Sequence, residues 1–357
     1  MRTIFAAPRA LTHSLRAALL LTAIGLAACT DIDDGGPLAN GSAGRPAIIG
    51  NAAAGLVNGP AAVARFDNPA TAEVGPDGTV YVADFNNNAV RAIAPDGTVR
   101  TLVAQAGFVR PFGMTFSPDG SLYVQTDGND LGQRDGTTGT VWRVNPATGA
   151  ATVVARNLGR PRGLLALSGN RIVLSDVAHH VIALLNTTSG AVTPLAGSAD
   201  MPGFADATGA DARFSRPYGV ALAADGSLLV ADQDNHRIRR VTLAGVVTTF
   251  AGTGTAGSAN GPVATATFNG PQDVAVDGST VYVADTLNYR VRRIAGGNVT
   301  TIAGSGVRGF APGEGLTAQF AGLEGFDLTD DGNTLWIADG SGGMDDGFNR
   351  VRRVRVR

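Results

Sequence analysis

The feature that most constrains this chain is an internal repeat. Residues 65–104 read RFDNPATAEVGPDGTVYVADFNNNAVRAIAPDGTVRTLVA. Residues 213–252 read RFSRPYGVALAADGSLLVADQDNHRIRRVTLAGVVTTFAG, and 267–304 read TFNGPQDVAVDGSTVYVADTLNYRVRRIAGGNVTTIAG. Two looser copies lie between, at 107–155 and 158–197, and a sixth runs from 319 to the end. The copies register on Pro69, Pro111, Pro161, Pro217, Pro271 and Leu323, spaced 42, 50, 56, 54 and 52 residues apart. A unit of this size cannot bury its apolar face alone, so the copies must stack on one another.

Each copy has the same internal grammar. A short apolar run follows the anchor, as in Tyr218 to Leu222, and then a Gly turn, often Asp-Gly (Asp77-Gly78, Asp119-Gly120, Asp225-Gly226, Asp277-Gly278). A second run, Leu228 to Asp232, leads to an alternating third, Arg237 to Val241, and a second Gly turn precedes a fourth, Val246 to Phe250. These are four strands with hairpin turns between the first and second and between the third and fourth. No stretch of 46–357 sustains a helical period. The 49 glycines fall at regular intervals and mark turns, not low complexity. Four-stranded units in radial array predict an all-β fold, a six-bladed β-propeller.

The pattern resembles the NHL repeat family. The likeness rests on the Pro-x-Gly-Val-Ala start, the Tyr-Val-Ala-Asp second strand, the Asn-His-Arg-Ile-Arg-Arg third strand and the Val-Thr-Thr-Ile-Ala-Gly fourth strand. Blades 4 and 5 match strongly; blades 2 and 3 match weakly, and blade 2 lacks the Asn-x-Arg element. Blade 6 ends after its third strand. Residues 46–50, Pro-Ala-Ile-Ile-Gly, have the look of the missing fourth, so the N-terminal segment is expected to complete the last blade and remove its open edge.

Ahead of the repeats lies a targeting segment. Arg2, Arg9 and Arg16 precede the apolar run Ala17 to Leu26, which is too short for a permanent span. Leu26-Ala27-Ala28-Cys29 follows, and Cys29 is the only Cys in the chain. This resembles the lipobox of bacterial lipoproteins, which implies cleavage before Cys29 and a lipid on it. The expected organisation is a signal peptide at 1–28, a lipid-anchored flexible tether at 29–45 and a propeller at 46–357. Thr30 follows Cys29 where the enterobacterial inner-membrane retention signal has Asp, so the outer membrane is the expected address. Removal of 1–28 takes three of the 28 arginines and none of the 30 acids, which leaves a formal charge of −5. A mildly acidic exported chain is a poor nucleic-acid binder. With Cys29 lipidated no disulfide can form, and the 44% of residues that are apolar must supply the stability. The chain is read as a monomer.

Loop lengths separate the two faces of the ring. Blade-to-blade loops run through 51–68, 198–216, 253–270 and 305–322, and second-to-third-strand loops are expanded at 128–139 and 340–348. In an up-and-down blade both kinds leave on the same face, where function usually lies. The residues after the anchors, Ala70, Phe112, Arg162, Tyr218, Gln272 and Glu324, are expected to rim the central channel there. Elsewhere the copies agree; at this position they differ. Two aromatics, an Arg and a Glu suit a small polar ligand or a peptide end. The expected partner is a protein, peptide or glycan of the cell envelope.

Chemistry finds little support. The chain contains no Lys, which excludes a Schiff-base Lys or a phosphate-loop Lys. Nor is there a Ser nucleophile elbow, a Cys nucleophile or a phosphate-binding Gly loop. His179 and His180 are read as neighbours in a strand, pointing to opposite faces, and His236 as part of the repeat, so three convergent metal-binding His are not expected. Six Asp at second-strand ends (Asp84, Asp127, Asp176, Asp232, Asp285, Asp339) are read as acceptors for turn amides or for Arg237, Arg290 and Arg350. Asp232-Gln-Asp234 and Asp345-Asp346-Gly347 lack calcium-loop spacing. The terminal Arg-Val-Arg-Arg-Val-Arg-Val-Arg aligns with 237–241 and 290–294 and reads as a third strand. The resulting expectation is a binding protein with no cofactor. The alternative is a resemblance to gluconolactonase propellers, through Glu324-Gly325-Phe326 and Asp273, which implies metal-dependent lactone or ester hydrolysis with a divalent cation such as Ca²⁺. No matching Asn ligand is evident.

Overall fold

A computed structural model describes residues 47–312, 315–340 and 347–356. The signal segment, Cys29, the tether and the Asp345-Asp346 pair lie outside the described residues. The described chain forms six antiparallel sheets arranged as a six-bladed β-propeller. Every anchor opens an inner strand: Pro69–Val74, Pro111–Phe116, Pro161–Leu167, Pro217–Leu222, Pro271–Asp277 and Leu323–Leu328. Pro is tolerated there because a first strand residue need not donate to the ladder. The Asp-Gly turns work because the glycines take left-handed backbone, as at Gly78 (φ 75°) and Gly226 (φ 80°).

The ring closes as the repeat predicts. Ile48–Ile49 pairs with Arg350–Arg355 in the register Ile48 to Arg352 and Ile49 to Val351. The Arg353 amide also donates to the Ala47 carbonyl at 2.8 Å. The paired stretch is two residues long, and Ile49 is fully buried with Phe66, Val80 and Trp336 between blades 6 and 1. Among the described residues the apolar core is divided into six clusters set mainly between neighbouring blades, one of which also takes in Ala70, Phe112 and Tyr218 around the channel. Gly113 and Gly163 let the inner strands approach, since a Cβ on either would strike the carbonyl of Arg162 or Tyr218 in the next blade.

A buried arginine locks each regular blade to the loop before it. Arg91, Arg239 and Arg292 are fully buried, and Arg352 nearly so. Each pairs with the Asp seven or thirteen residues earlier: Asp84 (2.8 Å), Asp232 (2.7 Å), Asp285 (2.6 Å) and Asp339 (3.2 Å). The guanidinium faces lie over Phe66, Phe214, Phe268 and Phe320 at 4.7–5.4 Å. The other Nη atom of Arg91, Arg239 and Arg292 binds loop carbonyls at Val57, Ala205 and Ala259. The sequence assigned these Asp to Arg237, Arg290 and Arg350; that is corrected. Those arginines share a face with Arg239, Arg292 and Arg352 but open the strand, where Arg237 and Arg290 donate to the loop carbonyls of Thr253 and Ser305 and Arg350 lies over Phe310; the arginine two residues on is the one that reaches the Asp. The turn-amide half of the expectation holds: Asp84, Asp232 and Asp285 each accept one loop amide at 2.7–2.8 Å.

Blade 2 solves the same slot without charge. Pro111 pairs with Thr126, so Thr126 and not Asp127 occupies the position of Asp84. Trp142 stands where the arginine would, donates Nε1–H to Thr126 Oγ1 at 2.8 Å and packs on Phe108. Asp127 therefore drops out of the repeated set and faces the channel mouth.

His179 and His180 are in a turn, not a strand; the third strand of blade 3 begins at Val181. His179 Nδ1 lies 2.6 Å from Asp176 Oδ2, which holds the imidazole above its usual range. His180 and His236 take left-handed backbone, and their Nδ1 atoms accept the amides of Arg216 (3.0 Å) and Gly270 (3.1 Å) in the next blade. Asn88 and Asn349 do the same for Arg110 and Asn68. The repeat's His is thus a blade-to-blade tie.

Candidate functional site

The inner strands enclose a cavity of about 330 Å³ that runs along the channel, from Arg162 and Glu324 at the loop-rich face to Asp330 and Gly332 in the opposite turn. Phe112, Arg162, Tyr218, Gln272 and Glu324 all line it. Ala70 does not. It is fully buried against the packing that includes Phe112 and Tyr218, so the predicted six-member rim is a five-member one.

Arg162 is the centre of the mouth. Its side chain is 3% exposed and faces Asp127, itself 2% exposed. Nη2 donates to Asp127 Oδ2 at 3.1 Å. Nη1 lies 3.0 Å from Oδ1 but off the line a hydrogen bond needs, and neither Nη1 nor Nε has a bonded protein partner. The guanidinium sits 4.1 Å from the Phe112 ring and 5.5 Å from Phe85. Phe85, Phe112 and Tyr218 form an arc of edge-to-face rings, 6.1 and 6.0 Å apart. Unpaired Nε atoms recur in Arg91, Arg239 and Arg292, so the distinguishing atom of Arg162 is Nη1.

Two further groups at the mouth lack partners. Gln272 is buried and its Oε1 accepts no hydrogen bond. No hydrogen bond among the described residues reaches the Glu324 carboxylate. Burial pushes its pKa up to about 7, against the opposing pull of Arg162. A donor, an acceptor and a carboxylate that titrates near neutrality therefore face one space. Left unsatisfied, a buried donor or acceptor such as Arg162 Nη1 or Gln272 Oε1 costs on the order of 1–3 kcal/mol, which a polar ligand would recover.

Deeper in the channel the polar groups are occupied. Glu73 Oε1 accepts the Phe116 amide of blade 2, Asp273 Oδ2 the Phe326 amide of blade 6, and Asp327 Oδ2 the Val74 amide of blade 1, at 2.8–3.1 Å. Burial raises all three acids: Asp273 to about 7, Asp327 to about 6, and Glu73 well above its ordinary value. These carboxylates stitch neighbouring inner strands together. That bears on the lactonase alternative. Both Asp273 oxygens accept backbone amides, of Phe326 and Val274, so Asp273 and Glu324 do not form an open ligand pair. Among the described residues no group of three His, Cys, Asp or Glu converges as metal ligands would. The residues present do not fit the divalent cation of that family.

Sequence reasoning missed Asp127, Phe85, Arg110 and Arg160 as mouth residues. Asp127 resembles its repeat equivalents by type, and only the register of Thr126 opposite Pro111 shows that it is displaced.

The profile of the family described as NHL repeat matches residues 214–241, in blade 4. Human NHL repeat-containing protein 2 is 38% identical over 84 residues, which is 23% of this chain and 12% of that protein. The chain thus spans only a small part of the curated relatives it matches. An auxiliary nutrient binding protein from Bacteroides ovatus superposes with a TM-score of 0.67 at 17% identity, over 87% of this chain and 76% of that one. A putative gluconolactonase superposes with a TM-score of 0.54 at 13% identity, over 87% and 94%. At these identities the solved structures share the fold with this chain.

Proposed function

We propose that the protein is a non-enzymatic, lipid-anchored binding propeller of the bacterial cell envelope, which takes a peptide or glycan end at its channel mouth. The observation that carries the reading is a set of polar groups without hydrogen-bond partners facing one cavity: the buried Arg162 Nη1 and Gln272 Oε1, and the half-buried Glu324 carboxylate. A description as an auxiliary nutrient binding protein, borne by a relative of like fold, is consistent with it. Cys29 supplies the anchor, and the tether at 29–45 holds the ring off the membrane.

The test is calorimetric titration of a panel of mono- and disaccharides and short peptides against the wild type, Gln272→Leu and Glu324→Gln. At least one ligand should bind and weaken about tenfold in each variant, the scale of one lost hydrogen bond to a charged or buried group. Ligand binding indifferent to both variants would move the site elsewhere. A thermal-shift series with Ca²⁺, Zn²⁺ and EDTA beside a lactone hydrolysis panel tests the enzyme alternative; metal-dependent stabilisation with turnover would displace the binding reading. Labelled palmitate should enter the wild type and not Cys29→Ser, with the label in the outer-membrane fraction.

A further inference from the structure

Beside the mouth lies a second cavity of about 330 Å³, lined by Arg110, Asp127, Arg134, Asp135, Gly136 and Arg160. Its three arginines come from separate elements: the residues just before the inner strands of blades 2 and 3, and the expanded loop of blade 2. Arg134 is exposed and makes no ion pair or hydrogen bond among the described residues. Among the described residues Arg110 has no carboxylate partner; its guanidinium rests 5.2 Å from the Phe85 ring. Arg160 reaches Asp127 Oδ2 at 3.3 Å, the oxygen to which Arg162 Nη2 already donates, while Oδ1 accepts from Gln125 Nε2. Asp135 is engaged by the Thr137 amide and hydroxyl, each at 2.7 Å. Four arginines thus share one free-standing buried carboxylate and one that is internally satisfied, and the cavity keeps a positive surplus.

One further feature sets this corner apart from the repeat. Asp127 faces the cavity only because Thr126 and Trp142 have taken over its structural slot. The charge that elsewhere locks a loop is here released to position two arginines.

We infer that this cavity is an oxyanion subsite, and that the ligand is an anionic sugar whose carboxylate or phosphate sits among Arg110, Arg134 and Arg160 while its hydroxyls meet Gln272 and Glu324. The sugar part rests on the reading of the mouth given above; the oxyanion part stands on the arginines alone. Arginine forks suit planar carboxylates and phosphate oxygens, by charge-assisted bonds. Arg162 joins the two parts, since it shares Asp127 with Arg160 and sits opposite Glu324. The cavity volume is in the range of small-ligand pockets.

The experiment is calorimetry on the full chain with inorganic phosphate, glucuronate, glucose 6-phosphate and glucose as probes. Phosphate and the two anionic sugars should bind and compete, glucose should bind at least about tenfold more weakly, and added KCl should weaken the anions. Arg134→Gln and Arg160→Gln should each weaken phosphate by about tenfold, while Arg355→Gln, an exposed arginine on blade 6, should leave it unchanged. A preference for glucuronate over glucose 6-phosphate assigns the carboxylate as the anion, and the reverse assigns the phosphate. No phosphate binding, or binding in Arg134→Gln and Arg160→Gln as tight as in the wild type, overturns the subsite. Glucose binding that Glu324→Gln abolishes, without any anion preference, would overturn the subsite and leave the mouth reading intact. Phosphate binding that survives with no sugar dependence on Glu324→Gln would keep the subsite and remove the mouth reading.

Discussion

The smallest unit that explains this fold is one buried arginine. Arg239 spends its fork on Asp232, Asp206 and the carbonyls of Arg213 and Ala205, and lies over Phe214. Lys has the charge and lacks the fork, so Arg239→Lys should lose about 2–4 kcal/mol in urea denaturation, near the cost of breaking a buried pair. Blade 2 shows that the slot has a neutral solution, Thr126 with Trp142 on Phe108. Transplanting it gives a sharper prediction. Asp232→Thr and Arg239→Trp should each be costly alone, because each strands a buried partner. The double variant should be less destabilised than the sum of the singles by about 1–3 kcal/mol, the range seen for directly coupled neighbours. Strict additivity would mean that the pair and its neutral replacement are not alternative fillings of one slot.

At the scale of the strand and the blade, much was legible in the sequence, for a physical reason. Anchors, Asp-Gly turns and alternating runs are each dictated by backbone chemistry, so six copies of one grammar announce six copies of one sheet. The closing strand was legible for the same reason: a third strand at 350–355 requires a partner, and Ile48–Ile49, a stretch of fourth-strand type outside the copies, supplies it. The mouth was legible only in part. Position after the anchor located Phe112, Arg162, Tyr218, Gln272 and Glu324, but Ala70 is too small to reach past the packing around it. Asp127 was invisible as a mouth residue because residue type and register disagree there, and only pairing resolves register. The closing strand carries its own prediction. Ile49 is fully buried, and a side chain of that size contributes about 1.5–3 kcal/mol. Deleting 30–50 should therefore lower Tm by roughly 5 °C or more in calorimetry, given about 2–4 °C per kcal/mol. Deleting 30–45 alone should leave Tm within about 1 °C.

For the molecule as a whole, the consequential choice is what a propeller places around its axis. Here the inner strands are tied by carboxylates, Glu73 to Phe116, Asp273 to Phe326 and Asp327 to Val74. Burial raises the pKa of each, so the folded ring holds protons that the unfolded chain has already released. Stability then falls with rising pH wherever the native state binds more protons than the unfolded one. The window runs from the ordinary carboxylate range, about pH 4, up through about 7, where Asp273 and Glu324 are half ionised. His180 acts in the opposite sense: burial lowers its pKa, its neutral Nδ1 accepts the Arg216 amide, and its contribution is lost as pH falls below its depressed value. Three or more carboxylates outweigh one imidazole, so urea melts at constant ionic strength should show greatest stability near pH 5 and a decline to pH 8. Glu73→Gln and Asp327→Asn keep an oxygen that can accept the same amide and remove the ionisation. Each should flatten the decline and raise stability at pH 8, with little change at pH 5. A slope unchanged by both would mean that the inner carboxylates are ionised in the folded ring at every pH tested, and that the strand ties draw their strength from charge instead of from neutral acceptors.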